Sequence, residues 1–132
     1  MSENAEKLPS PKRALVFDDN ALVRMILASM LMKRGFEVIE FPSAEAALEY
    51  LREAPAELVM LDVMLTGMSG IELCQIIRED LKLVDLPVVA YTGAHDVTSV
   101  ALMRMAGFND FLFKPVDGTT LDNVLREVLE AA

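Results

Sequence analysis

Three short apolar runs in this 132-residue chain each end on a group able to do chemistry. Ala14-Leu15-Val16-Phe17 runs into Asp18-Asp19, Leu58-Val59-Met60-Leu61 into Asp62, and Phe111-Leu112-Phe113 into Lys114-Pro115. Continuous apolar runs of this length are the pattern of strands buried on both faces. In an open parallel sheet, ligands sit just beyond the carboxyl ends of such strands. If the three strands are neighbours, three carboxylates and one ammonium converge on one crevice. Clustered carboxylates repel one another, and a divalent cation relieves the repulsion. An all-oxygen donor set with no His or Cys nearby suits Mg²⁺ and argues against zinc. A carboxylate in that position can also attack phosphorus and form an aspartyl phosphate. Phosphoryl transfer asks mainly for in-line positioning and charge neutralisation, and the same cluster supplies both.

The elements that must position these groups are legible in outline. Residues 1–11 are polar, with Pro9 and Pro11, and read as a loose tail before a single domain at 12–132. Strand-like and helix-like segments then alternate. Strands are expected at 13–17, 36–40, 57–61, 87–91 and 110–113. Helices are expected at 20–34, from Pro42-Ser43 to about 53, at 70–80, at 97–106 and at 118–130. Gly35 and Gly107 suit left-handed helix stops. Ser69 with Glu72 makes a capping box, and Asp96 and Asp117 can cap the last two helices. Five strands alternating with five helices imply a parallel sheet covered on both faces.

Composition narrows the function further. Hydrophobic residues make up 53% of the chain, which is a folding composition. The 21 acidic and 12 basic residues give a net charge of −9, which argues against direct nucleic-acid binding, since phosphate contacts need clustered Lys and Arg. No apolar stretch is long enough to span a bilayer, and the acidic N-terminus is wrong for a secretory signal. A single Cys excludes an internal disulfide. The expectation is a soluble, cytoplasmic protein with no membrane insertion.

Asp18-Asp19, Asp62, Thr92 and Lys114-Pro115, in this order at the ends of successive strands, resemble the receiver domain of bacterial two-component response regulators, of the single-domain chemotaxis-regulator type. The resemblance covers residues 13–131, and Gly70 and Phe111 also fit its pattern. It implies a flavodoxin-like (βα)5 doubly wound α/β fold with strand order 2-1-3-4-5. It further implies that Asp62 takes a phosphoryl group from a histidine kinase or histidine phosphotransferase. Mg²⁺ would then be held by Asp18, Asp19, Asp62 and the backbone carbonyl of Met64. Lys114 and the Thr92 hydroxyl would meet the phosphoryl oxygens. Inward movement of Thr92 would open space for Phe111, and this switch would alter binding to a downstream protein target. A cis Lys114–Pro115 bond belongs to the same pattern. Three departures stand out. Thr66 replaces a common Pro, Phe111 lacks the hydroxyl of the more usual Tyr, and Met64 and Ala94 are apolar where many relatives are polar. The last departure implies a slowly hydrolysed aspartyl phosphate.

Several residues carry two readings. Asp18-Asp19 could instead cap the helix at 20–34, and Thr92 could be a structural strand-end hydroxyl. Cys74 reads as packing and His95 as a solvated turn residue. The helix at 20–34 is apolar on more than one face, which implies either a wider core contact or an exposed interface. Leu22 and Met25, beside the expected crevice, are the candidate contacts for a phosphodonor partner. The chain ends with its last helix, so a stand-alone regulator is expected. A receiver fragment of a larger regulator is the rival. A flavin-binding electron carrier on the same architecture is a more distant one, because Asp18-Asp19 would repel a flavin phosphate. An aspartate-nucleophile phosphatase would usually carry its nucleophile after the first strand.

Overall fold

The computed structural model describes residues 12–63, 70–93 and 97–130, without the side chains of Thr92, residues 97–100 and Glu130. The expected caps Ser69 and Asp96, together with Met64, Thr66, Ala94, His95 and the tail at 1–11, lie outside the described residues. The elements run β1 (Arg13–Phe17), α1 (Ala21–Met32), β2 (Glu37–Phe41), α2 (Ala44–Glu53), β3 (Leu58–Asp62), α3 (Gly70–Gln75), β4 (Val88–Thr92), α4 (Val97–Ala106), β5 (Asp110–Phe113) and α5 (Gly118–Glu130). Helix α3 continues into a π-helical turn, Ile76–Asp80. All five strands are parallel and pair in the order β2-β1-β3-β4-β5.

The alternation of side chains along each strand divides the core in two. Leu15, Phe17, Val59, Leu61, Val88 and Ala90 face α2, α3 and α4. Ala14, Val16, Met60, Val89, Tyr91 and Leu112 face α1 and α5. Every side chain of β3 is buried, which is why a central parallel strand shows no polar alternation in sequence.

The helix ends follow local chemistry. The Asn20 side chain accepts from the Val23 amide and caps α1, so neither Asp18 nor Asp19 is its cap. The Asp18 carboxylate instead accepts from the Asn20 amide, fixing the turn out of β1. Ser43 caps α2, and Asp117 caps α5 through the Thr120 amide. A side-chain cap of this kind contributes about 1 kcal/mol. Gly35 and Gly107 sit at φ +93° and +110°, the left-handed conformation that their helix-stop roles require. Expected and observed strand limits differ by one residue at β2, β3 and β4, a fraying-scale difference.

The helix expected at 70–80 differs in kind. It begins as α-helix and loosens at Ile76, with the Leu81 amide reaching the Ile76 carbonyl at 3.0 Å. Gly70 is where α3 meets β3 most closely. A Cβ there would lie 2.5 Å from the Asp62 carbonyl oxygen, so any other residue would push the helix off the strand end.

Candidate functional site: the carboxyl end of the sheet

The register of the strands builds the site. Phe17 pairs with Leu61, so the next residues, Asp18 and Asp62, leave adjacent strands side by side. Asp62 pairs with Tyr91, and Thr92 pairs with Phe113, so Lys114 leaves β5 one residue beyond the end of β4. Ligand oxygens of Asp18, Asp19 and Asp62 lie within 4.8 Å of one another. Asp18 and Asp62 are buried, whereas Asp19 is exposed at the rim. The Lys114 Nζ donates to Asp62 Oδ2 at 2.8 Å and to Asp18 Oδ2 at 3.0 Å, closing the crevice with one cation between two carboxylates. The Lys114–Pro115 peptide bond is cis.

The electrostatics follow from this geometry. Burial alone would lower the Lys114 pKa. Hydrogen bonds from its ammonium to Asp62 and Asp18, with their negative charges, outweigh burial and raise the pKa above the usual lysine value. Burial, aided by the charges of Asp18 and Asp62, pushes the Tyr91 phenol far above its ordinary range, so it stays a neutral donor. Three carboxylates against one ammonium leave excess negative charge, and an all-oxygen cluster of that kind could bind a metal ion.

Of the residues expected at the site, Asp18, Asp19, Asp62 and Lys114 are brought together. The backbone of Thr92 ends the neighbouring strand, while its side chain and Met64 lie outside the described residues. Phe111 is half-buried on the other face of the sheet. The Arg104 guanidinium lies 5.0 Å from its ring centroid, and Phe113 lies edge-on at 5.9 Å. Leu22 and Met25 stand 67% and 57% exposed on α1 and continue into exposed Ile26, so the excess apolar surface of this helix faces outward.

Two contributors were not singled out by sequence. Arg24 donates to the Asp18 carbonyl at 2.6 Å and pairs with Glu40, clamping the turn from outside. Its position four residues after the Asn20 cap is ordinary for a helical arginine, so no local signal marks it. Tyr91 belongs to an apolar run and reads as core, yet the Lys114 ammonium lies over its ring.

A family model for the response regulator receiver domain matches residues 14–126. The chain belongs to this family. The receiver domain is similar to the transcriptional regulatory protein AfsQ1 of Streptomyces coelicolor, at 37% identity over 119 residues, 90% of this chain and 51% of that protein. It is also similar to the CAI-1 autoinducer sensor kinase/phosphatase CqsS of Vibrio cholerae, at 30% identity over 119 residues, 89% of this chain and 17% of that protein. A solved response regulator receiver protein from Pseudomonas putida matches with a TM-score of 0.78 at 30% identity, covering 91% of this chain and 99% of that one. The chain thus spans about half the length of AfsQ1 and a small part of CqsS. The receiver domain has the flavodoxin-like fold with strand order 2-1-3-4-5, and it is a phosphoacceptor module of two-component signalling. Among the described residues, no helix is long and apolar enough to cross a membrane.

Proposed function

We propose that Asp62 is the phosphoacceptor of this receiver domain. The observation that carries the reading is its placement. It ends the central strand β3, with the Lys114 ammonium at 2.8 Å and the carboxylates of Asp18 and Asp19 beside it. A carboxylate oxygen of Asp62 attacks the phosphorus of a phosphohistidine, the P–N bond breaks, and the imidazole leaves with the electron pair. Lys114 swings its donors from carboxylate to phosphoryl oxygens as negative charge builds there. The Thr92 hydroxyl donates to another phosphoryl oxygen, and Phe111 follows it inward as the readout. Asp18, Asp19 and Asp62 would hold Mg²⁺, with the Met64 carbonyl added by family resemblance. Bound there, the ion would supply charge neutralisation for the transferring group. The chain's own contribution to the chemistry is this positioning, for phosphorylation and for later hydrolysis.

Receiver domains interact with histidine kinases. For this chain the donor is a histidine kinase or histidine phosphotransferase, and the exposed apolar start of α1, with Leu22 and Met25, is its docking surface. The phosphorylated form binds a downstream protein target in the cytoplasm. The core experiment uses acetyl phosphate with Mg²⁺ and intact-mass spectrometry. One phosphoryl group should add to the wild type and none to Asp62→Asn. The same adduct on Asp62→Asn would overturn the assignment.

A further inference from the structure

Tyr91 is wholly buried beneath the crevice, on the face of β4 that packs toward α1 and α5. A leucine or methionine would fill such a place in an apolar core without any polar atom to satisfy. Tyr91 makes two contacts that neither could. Its hydroxyl donates to the Phe17 carbonyl at 3.2 Å, on the residue immediately before Asp18. The Lys114 ammonium lies over its ring, 5.0 Å from the centroid, well within the range of a cation–π attraction. On the α1 side the ring borders a cavity of about 310 Å³ shared with Val23, Ile26, Leu27, Met30 and Val116. Burial already holds the ring, and the hydroxyl bond to β1 adds a polar contact to it.

We propose that Tyr91 is a positioning residue for Lys114: its buried ring face holds the ammonium at the crevice without consuming an N–H donor. That distinction matters for the chemistry. The ammonium has three donors, and Asp18 and Asp62 each take one. When a phosphoryl group arrives on Asp62, its oxygens compete for these same donors. A partner that bound the lysine through a further hydrogen bond would have to be given up or would hold the ammonium in one rotation. A ring face attracts the charge in any rotation. Lys114 can therefore re-partner from carboxylate to phosphoryl oxygen while staying in place. The hydroxyl of the same tyrosine also links β4 to the end of β1, whose spacing is already set by the pairing of both strands with β3.

The inference rests on the phosphoacceptor reading only for its kinetic consequence; the placement of Lys114 is measurable without any phosphodonor. With labelled lysine, the Lys114 Cε protons of the wild type should resonate upfield, from the ring current of Tyr91. Tyr91→Phe should keep that shift, and Tyr91→Leu should abolish it. In the acetyl phosphate assay, Tyr91→Leu should slow modification by roughly 5- to 10-fold, while Tyr91→Phe stays within about twofold of wild type. Replacing Tyr91 by phenylalanines bearing zero to three fluorines keeps the packing and drains the ring face of negative charge, and the rate should fall stepwise. A flat fluorine series, or Tyr91→Phe as slow as Tyr91→Leu, would overturn the proposal even if the leucine variant folds poorly. A wild type that shows the upfield lysine but accepts no phosphoryl group would instead sink the phosphoacceptor reading alone.

Discussion

Lys114 and Arg78 are both drawn in from the surface, at opposite ends of the sheet, and they are satisfied in opposite ways. Lys114, at the carboxyl ends of the strands, is held by two carboxylates and a ring face. Arg78, at the amino ends of β4 and β5, spends all five N–H donors on neutral oxygens. Its Nε and one terminal nitrogen reach the Gly107 carbonyl at 3.0 and 2.8 Å. The others reach the carbonyls of Leu83 and Leu86 and the Asn109 side chain, each at 2.7 Å. The Arg78 cage is fixed, because backbone carbonyls of loops have no alternative donor once buried. The Lys114 bridge is exchangeable, because an arriving anion or cation offers both sides a new partner. One end of the sheet is thus built to stay and the other to change partners.

The largest stability effect should come from the fixed end. Arg78→Met strands several carbonyls and should cost about 2–4 kcal/mol, whatever the divalent-cation concentration. Thermal or urea unfolding with and without Mg²⁺ reads this directly. Lys114→Met leaves Asp18 and Asp62 facing each other, and the side chain is only 23% exposed. Its loss should cost about 1–2 kcal/mol in metal-free buffer, and Mg²⁺ should recover most of it. Recovery of Arg78→Met by Mg²⁺, or none for Lys114→Met, would erase the contrast between the two ends.

The same bridge has a signature in pH. The Lys114 pKa is raised in the folded state, so its stabilisation is complete below the ordinary lysine value and is lost as pH climbs through the raised one. Metal-free wild type should therefore lose more stability than Lys114→Met in this alkaline window. Parallel stability profiles for the two proteins would mean that the bridge is energetically silent.

Smaller effects belong to surfaces beside each end. Leu22→Ser or Met25→Ser should slow transfer from a phosphorylated histidine partner by roughly 3- to 10-fold, with folding stability within about 0.5 kcal/mol of wild type. Modification by acetyl phosphate should be spared, and equal slowing with both donors would assign the loss to the site rather than to docking. At the fixed end, Lys82 holds a left-handed φ of +60° as the chain turns toward the carbonyls that Arg78 binds. Lys82→Gly should relieve that conformation and stabilise by about 0.5–1 kcal/mol, with Arg78 undisturbed. Destabilisation instead would show that the lysine side chain, through its bond to the Glu79 carbonyl, supports the cage.

The sequence by itself determined the alternation of strands and helices, the glycine stops, the Asp117 cap, and the identity of the reactive groups at the strand ends. These are local properties, written in side-chain periodicity and turn chemistry within a few residues. It also marked α1 as too apolar for one buried stripe, but burial alone could say which way the excess faced. Only the tertiary structure decided that Asn20 caps α1, leaving Asp18 to the crevice. It likewise decided that the helix after Gly70 loosens into a π-turn carrying Arg78. The Lys114 ammonium meets Asp18 across 96 positions of sequence, and the Tyr91 hydroxyl meets Phe17 across 74. Contacts at that separation depend on strand register, and register is set by the packing of both sheet faces at once, so no window of the sequence contains it.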